Sequence, residues 1–249
     1  MNYTYSPALL VPHFNHMPLF TSFLPELVET GLPVIVVDDG SDAHEQDQLK
    51  ALCEKHASVT LLHHKNNRGK GAAFCTGLYH AAQQKITHVV QVDADAQHEL
   101  ADLPKLLRVS KGYPQAIISG RPCFGDDAPK ARVYGRKVTD FWVALETLSL
   151  KLKDSLCGYR VYPLQQTFEI YDQYYVSPRM SFDTEILVKA CWSNIDVHYI
   201  DTQVKYHEQS ISHFHYLNDN LALIGLHTRL MIGMVLNAPR MLYHRIKRQ

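Results

Sequence analysis

Short apolar runs alternate with stretches of helical spacing along the first 120 residues. The apolar runs predict five strands, at residues 8–11, 34–37, 59–63, the beginning of 88–98, and 116–120. Apolar residues between them recur every three or four positions, which predicts helices at 19–29, from Ser41 or Asp42 to about 55, 72–84 and 100–110. This alternation favours an α/β fold, in which helices cover both faces of a mostly parallel sheet.

The pattern after residue 121 is less regular. It predicts a polar loop at 122–132, a helix at about 134–152, a strand-like segment at 154–162, a helix at 181–193 and one or two strands within 197–206. The last thirty or so residues again have helical spacing. No repeat or linker divides the chain, so we expect one domain over residues 1–216 and a helical tail over 217–249.

Composition narrows the class of protein. The 249 residues include 25 basic and 25 acidic side chains, so a nucleic-acid partner, which usually requires a basic excess, is not expected. The five cysteines are scattered without a CxxC pair, which is typical of reduced thiols in the cytoplasm. We find neither a signal-peptide pattern nor an apolar run near the ~20 residues of a spanning helix, and we expect a cytoplasmic protein.

Polar residues follow three of the predicted strands, at 12–16, 38–42 and 93–98. The carboxyl ends of parallel strands lie at one edge of a sheet, where such folds bind ligands, so these segments can form one site. Asp93 and Asp95 would repel each other unless a cation joined them, and Mg²⁺ or Mn²⁺ is the natural choice. Such cations are often shared with a substrate phosphate, which indicates a nucleoside diphosphate or another phosphorylated ligand. A turn with a helix cap remains the alternative for the pair and for 38–42.

Other phosphate-binding patterns fit poorly. A dinucleotide fingerprint would begin at Gly69 and Gly71, but Phe74 replaces its third glycine. The chain has no P-loop motif. A phosphatase with an aspartyl nucleophile is disfavoured because Gln97 stands where that class has Thr or Val.

Seven motifs together resemble family 2 glycosyltransferases of the GT-A fold, and most closely the dolichyl- or polyprenyl-phosphate sugar synthases. They lie in the family's order between about residues 8 and 206, as PxxN (12–15), VVDDGSD (36–42), NxGKGAA (67–73), VDADAQH (92–98), SGR (119–121), DSLCGYRVY (154–162) and FDTEIL (182–187).

The resemblance implies a donor side for the site. Pro12, Phe14 and Asp39 would line the nucleoside, Lys70 would lie near the nucleotide, and Arg121 would approach a phosphate. In the DxD motif, Asp93, Asp95 and Gln97 would hold Mg²⁺ or Mn²⁺, while Asp93 with Ala94 would also contact the ribose. Arg132 and Arg136 belong to a stretch that closes over the donor in relatives. His16 departs from the family, which often has Glu there.

The resemblance also implies an acceptor side and a reaction. Asp154, Gly158, Tyr159 and Arg160 match the element that shapes the sugar and acceptor side. The reaction would be an inverting, in-line transfer, in which the cation and arginines stabilise the leaving diphosphate. A hydroxyl acceptor would need a general base, for which Asp183 is preferred over Glu185, whereas a lipid phosphate would need none. The alternatives are a helix N-cap for Asp183 and a solvated helix position for Glu185.

Two C-terminal features complete the expectations. His213 and His215 share a face of an extended segment, and His213 would reach the metal or the diphosphate unless these are ordinary surface histidines. The apolar, basic stretch from 221 predicts a helix that lies on the inner face of the cytoplasmic membrane, or one that packs on the core. We thus predict a metal-dependent hexosyltransferase that uses a UDP- or GDP-sugar and a lipid or lipid-phosphate acceptor. The alternatives are a nucleotidyltransferase and a non-catalytic nucleotide-sugar-binding protein.

Overall fold

A computed structural model describes residues 4–123, 130–203 and 216–247, and this part of the chain folds around one sheet. Its strands are β1 (Pro7–His13), β2 (Val34–Asp38), β3 (Val59–His63), β4 (His88–Gln91), β5 (Ile117–Cys123), β6 (Arg160–Pro163) and β7 (Val197–Gln203). Its helices are α1 (Met17–Glu29), α2 (Ala43–Cys53), α3 (Lys70–Gln83), α4 (Leu103–Gly112), α5 (Lys130–Glu146), α6 (Leu164–Gln173), α7 (Phe182–Trp192) and α8 (Tyr216–Lys247).

The strands lie in the order β3-β2-β1-β4-β6-β5-β7. Among the described strands only β6 runs antiparallel to its neighbours, so the prediction of a mostly parallel sheet is confirmed. Because β6 is antiparallel to both β4 and β5, those two strands end at the same edge as β1 and β2. That edge carries the segments whose residues suggested a ligand site.

Both faces of the sheet are buried, which explains the continuous apolar runs in the sequence. Leu10 and Ile35 point into one apolar layer, while the next residues along each strand, Val11 and Val36, point into the other. The first layer lies beneath α3, α7 and α8, and the second lies beneath α1, α2 and α4. Successive residues of the central strands β1 and β2 are therefore mostly apolar, because both of their faces are covered, whereas the edge strands β3 and β7 keep exposed polar residues.

Several predicted boundaries were wrong. β1 continues through Pro12 to His13. Pro12 has no amide proton, but this is tolerated because the pairing of β1 with β4 stops at Leu10. The strand-like segment 154–162 is mostly loop, and only β6 at its end is a strand. The helix expected to run to about 152 ends at Glu146, and α6 was not predicted.

α8 is one helix of 32 residues that packs against α5 and α7. No described helix combines the length and apolarity that crossing a membrane requires. The proposed division of the chain near residue 216 stays a prediction.

The turn after β2 is fixed by the Asp38 carboxylate, not by a side-chain helix cap. Asp38 accepts hydrogen bonds from the Ser41 hydroxyl and from His63 Nδ1 at 2.7 Å. Asp42 occupies the N-cap position of α2, but neither it nor Ser41 caps the helix through its side chain. Burial would raise the pKa of Asp38, yet the nearby His13 ring and the hydrogen bonds from Ser41 and His63 lower it to about 2.

This shift predicts a specific acid sensitivity. A carboxylate whose pKa falls from 3.8 to about 2 on folding stabilises the native state above pH 3.8, and the stabilisation is lost between about pH 4 and 2. We expect Asp38→Asn to lose about 2 kcal/mol of unfolding free energy at pH 7 and to flatten the decline below pH 4. Urea titrations at several pH values measure both, and parallel pH profiles for the two proteins would contradict the assignment.

Candidate functional site

The centre of the site is the ammonium group of Lys70, the first residue of α3. Its Nζ lies 2.7 Å from Asp93 Oδ1 and 2.7 Å from Asp183 Oδ2. The other oxygen of Asp183 accepts a hydrogen bond of 2.9 Å from Gln91 Nε2, at the end of β4. Burial would lower the pKa of Lys70, but Asp183 and Asp93 raise it well above its usual range, so the amine is charged. Three predicted residues, from α3, α7 and the end of β4, thus meet.

The pKa values of the two aspartates of the DxD motif are shifted in opposite directions. Burial would raise the pKa of Asp93, but Lys70 and His98 hold it well below its usual range. The pKa of Asp95 is raised, because Asp95 is buried and lies near the Asp93 charge. Asp95 accepts the Gln97 amide proton at 3.1 Å. An added cation would therefore stabilise the ionised form of Asp95 more than that of Asp93.

A divalent cation fits this donor set only if a bound substrate supplies some of its ligands. The described residues contain no group of three or more His, Cys, Asp or Glu side chains that could hold a metal ion. Mg²⁺ and Mn²⁺ commonly use one or two carboxylates and complete their shell with water and substrate phosphates. The carboxylates of Asp95 and Asp93 would supply the protein's part of such a shell.

The loop between Asp154 and Tyr159 packs directly on Asp93. A Cβ atom at Gly158 would lie 2.3 Å from Asp93 Oδ2, so only glycine fits there. On the same carboxylate oxygen, His98 Nε2 approaches to 3.4 Å, and the His98 ring stacks on Tyr159. The DxD turn also holds Ala96 at φ +56°, a conformation that non-glycine residues rarely adopt. Asp93 is thus fixed by packing on one side and by Lys70 on the other.

Asp39 supports the glycine-rich loop before α3. Its two oxygens accept the amide protons of Arg68 at 2.9 Å and Gly69 at 2.6 Å, and also contact His64 Nδ1 at 2.7 Å. Gly69 has φ +103°, and a Cβ atom there would lie 2.4 Å from the Pro178 carbonyl oxygen. Asp39 is buried beneath the loop that carries Lys70, and its predicted contact with the nucleoside stays a prediction.

On the predicted acceptor side, Asp154 fixes α5 to the following loop. Its carboxylate accepts the amide protons of Leu156 and Cys157 and pairs with the Arg136 guanidinium. Burial and the Asp154 charge raise the pKa of nearby Asp140 to about 6. Asp140 was not among the predicted site residues, although its position one helical turn after Arg136 indicates that the two charged side chains lie close together.

Arg160 and Glu185 lie in the interior, where each is held by several partners. The guanidinium of Arg160 is fully buried and donates to the Ser119 hydroxyl, the Tyr162 hydroxyl and the carbonyl oxygens of Ser155 and Asp183. Glu185 is also fully buried, and its partners are the Ser177 amide, Lys189 and Arg229. The interpretation of Glu185 as a solvated helix position was wrong, and these partners leave it poorly placed to act as a base. Asp183 is not the N-cap of α7, since Ser181 occupies that position.

The remaining predicted residues lie at the rim or elsewhere. Pro12 lies within β1, and Phe14, with a partly exposed ring, directly follows that strand. Arg121 pairs with Asp201 at 2.6 Å in an exposed position at the end of β5. Arg132 lies in α5, and His213 lies outside the described residues.

Comparison with known proteins gives a consistent family. The sequence model for Glycosyl transferase family 2 matches residues 9–172. A dolichyl-phosphate beta-glucosyltransferase of Dictyostelium discoideum is 25% identical over 211 residues, covering 76% of this chain and 63% of the relative. An undecaprenyl-phosphate mannosyltransferase of Micrococcus luteus is 28% identical over 158 residues, covering 61% and 64%. The chain thus spans about three fifths of the length of these relatives.

Solved structures agree on the fold. Glucosyl-3-phosphoglycerate synthase from Mycobacterium tuberculosis, in complex with Mn²⁺, UDP-glucose and phosphoglyceric acid, superposes with a TM-score of 0.65 at 15% identity, covering 93% of this chain and 79% of that one. Residues 1–349 of S. aureus TarS superpose with a TM-score of 0.55 at 16% identity, covering 78% and 58%. At these identities the likeness shows the GT-A fold alone.

The close packing of Gly158 predicts a measurable strain. We expect Gly158→Ala to destabilise the protein by about 1–3 kcal/mol, because the new methyl group must displace the Asp93 carboxylate or the loop. Gly112→Ala is the matched control, since a Cβ there meets nothing within 4 Å. Equilibrium urea unfolding measures both, and equal stabilities for the two variants would refute the packing.

Proposed function

Because the chain belongs to glycosyl transferase family 2, we propose that it transfers a sugar from a nucleotide-diphosphate donor to a lipid-phosphate acceptor. The observation that carries the proposal is the Asp93–Asp95 pair at the end of β4, beside the charged Lys70. The solved relative that holds Mn²⁺ and UDP-glucose supports a nucleotide sugar as donor. The relatives named for dolichyl-phosphate and undecaprenyl-phosphate support a polyprenyl-phosphate acceptor.

In this proposal the charges of the site serve the departure of the diphosphate. A divalent cation at Asp95 would neutralise negative charge on the leaving group and so lower the barrier to cleavage of the sugar–phosphate bond. Lys70 adds a fixed positive charge at the same place, and Arg121 lies at the same edge of the sheet. Phe14 and Asp39 would border the nucleoside at the ends of β1 and β2.

The state of Asp183 favours a phosphate acceptor. Both of its oxygens already accept hydrogen bonds, from Lys70 and from Gln91, and Asp154 is engaged in the same way. A hydroxyl acceptor would need a carboxylate free to take its proton, whereas a phosphate is already ionised at neutral pH. The nucleotidyltransferase alternative is disfavoured by the family match and by the absence of Gly, Lys and Arg from residues 12–18.

Donor use can be tested without knowing the acceptor. We expect a panel of UDP- and GDP-sugars with Mn²⁺ to include one donor that stabilises the protein to heat and is slowly hydrolysed. Asp95→Ala should reduce that hydrolysis about a hundredfold or more, because the cation loses its main protein ligand. Thermal shift and nucleotide release measure the two effects. Hydrolysis at the wild-type rate in Asp95→Ala would overturn the metal-dependent transfer.

We also propose that α8 lies on an anionic membrane surface. Its inward face buries Leu226, Leu230 and Met241, yet its outward face is apolar as well. The exposed residues of that face are Ile224, Ile232, Val235, Leu236, Leu242, Tyr243 and Ile246. Residues 220–247 contain no Asp or Glu, and their basic residues are Arg229, Arg240, Arg245 and Lys247. An apolar stripe with basic flanks is typical of helices that lie in the plane of a membrane interface.

The loop after α5 extends this surface toward the acceptor side. Leu150 is 86% exposed and is followed by the exposed Lys151 and Lys153. Lys151 lines a small cavity together with Met241 of α8, so the loop and the helix are neighbours. The same loop continues to Asp154, so the proposed membrane contact would lie next to the proposed acceptor side.

Vesicle flotation tests this surface. We expect the protein to float with vesicles that contain anionic lipid and to remain below neutral ones. The double substitution Ile232→Ser and Leu236→Ser should weaken flotation about tenfold, since two exposed aliphatic groups no longer enter the interface. Tyr113→Ser removes an exposed aromatic side chain outside α5 and α8 and should have no effect. A stable dimer in light scattering, broken by the double substitution, would instead assign the stripe to a second copy.

A further inference from the structure

Lys70 occupies the place where a cation would meet Asp93. Its Nζ lies 2.7 Å from Asp93 Oδ1, and its second partner is Asp183 Oδ2, at the same distance. Magnesium–oxygen distances are about 2.0–2.1 Å, so an ion bound to Asp93 Oδ1 and the ammonium group would crowd one oxygen atom. Two positive charges at such a distance repel strongly unless further negative charge is added.

The other oxygen of Asp93 is approached by the protein from two sides. A Cβ atom at Gly158 would lie 2.3 Å from Asp93 Oδ2, and His98 Nε2 lies 3.4 Å away. An ion on Asp93 is therefore confined to the part of the side chain that stays exposed, close to the Lys70 charge. Asp95 differs, because it accepts a hydrogen bond from the Gln97 backbone amide and forms no ion pair with Lys70 among the described residues.

We propose that Lys70 is a resident countercharge that competes with the divalent cation for Asp93. In the free enzyme Asp93 is neutralised by Lys70, Asp95 is the main protein ligand, and the cation binds weakly. The diphosphate of the donor supplies the missing negative charge and ligands, so the cation and donor load together. This inference rests on the proposed function, since it concerns the cation of that same site.

Removal of the positive charge of Lys70 should increase the affinity of the donor-free enzyme for Mn²⁺. In Lys70→Met, Asp93 and Asp183 lose their countercharge, so Mn²⁺ should bind the donor-free enzyme about tenfold or more tightly than it binds the wild type. Lys65→Met is the matched control, because it removes an exposed lysine from the same loop and should leave Mn²⁺ affinity within about twofold of wild type. Electron paramagnetic resonance of free Mn²⁺ gives the dissociation constants without any activity assay.

A second comparison covers the case in which Lys70→Met fails to fold. Asp95→Asn should abolish Mn²⁺ binding to the donor-free enzyme, whereas Asp93→Asn should weaken it only about threefold, because Asp93 is already neutralised. Circular dichroism melting verifies that each variant is folded. Equal losses in the two Asn variants, or a folded Lys70→Met with wild-type affinity, would overturn the inference.

UDP separates this inference from the proposed function. If Mn²⁺ binds the wild-type protein more tightly in the presence of UDP but Lys70→Met changes nothing, the role of Lys70 is refuted and the proposed function stands. If Mn²⁺ binds no variant even with UDP or GDP, the proposed metal site itself is refuted.

Discussion

The ion pairs of Lys70 hold together parts of the chain that are far apart in sequence. Lys70 and Asp183 are separated by 113 residues, and each lies in the first turn of its helix. The two helix starts approach closely because Gly69 and Gly71 lack side chains, and Cβ atoms there would overlap the carbonyl oxygens of Pro178 and Ser177. The orientation of α3 against α7, and with it the position of Asp93, depends on this contact.

Buried charged groups join the elements of the second half of the chain. Arg160 joins β6 to β5 and to the start of α7 by donating to hydroxyl and carbonyl oxygens. Glu146 and Glu185 are fully buried, and they pair with His227 and Arg229 of α8. Removing one partner of a buried pair is costly, because the other charge is left without compensation. These contacts add two specific polar attachments to the apolar inner face by which α8 docks.

The sequence predicted the sheet and the DxD motif because local patterns determine both. Val34 to Val37 are apolar in succession since both faces of β2 are covered, and this is visible without a structure. The role of Asp39 is not local, because its partners belong to a loop about thirty residues later. Residues 154–159 were predicted to be strand-like, but Gly158 packs on Asp93, and that constraint comes from another part of the fold. The alternative of a solvated helix position for Glu185 was wrong, because α7 is buried on nearly every side and its periodicity does not reveal this.

The zero net charge of the chain hides a strong separation of charge. Asp93, Asp95 and Asp183 gather at one edge of the sheet around the ammonium group of Lys70, so carboxylates outnumber ammonium groups in this cluster. Residues 220–247 of α8 contain lysine and arginine but no Asp or Glu. The exposed Leu150 is followed by two lysines, Lys151 and Lys153. A cation is attracted to the first region and an anionic lipid surface to the second. The net charge of the whole chain does not reveal these two regions, because their charges are brought together only by the fold.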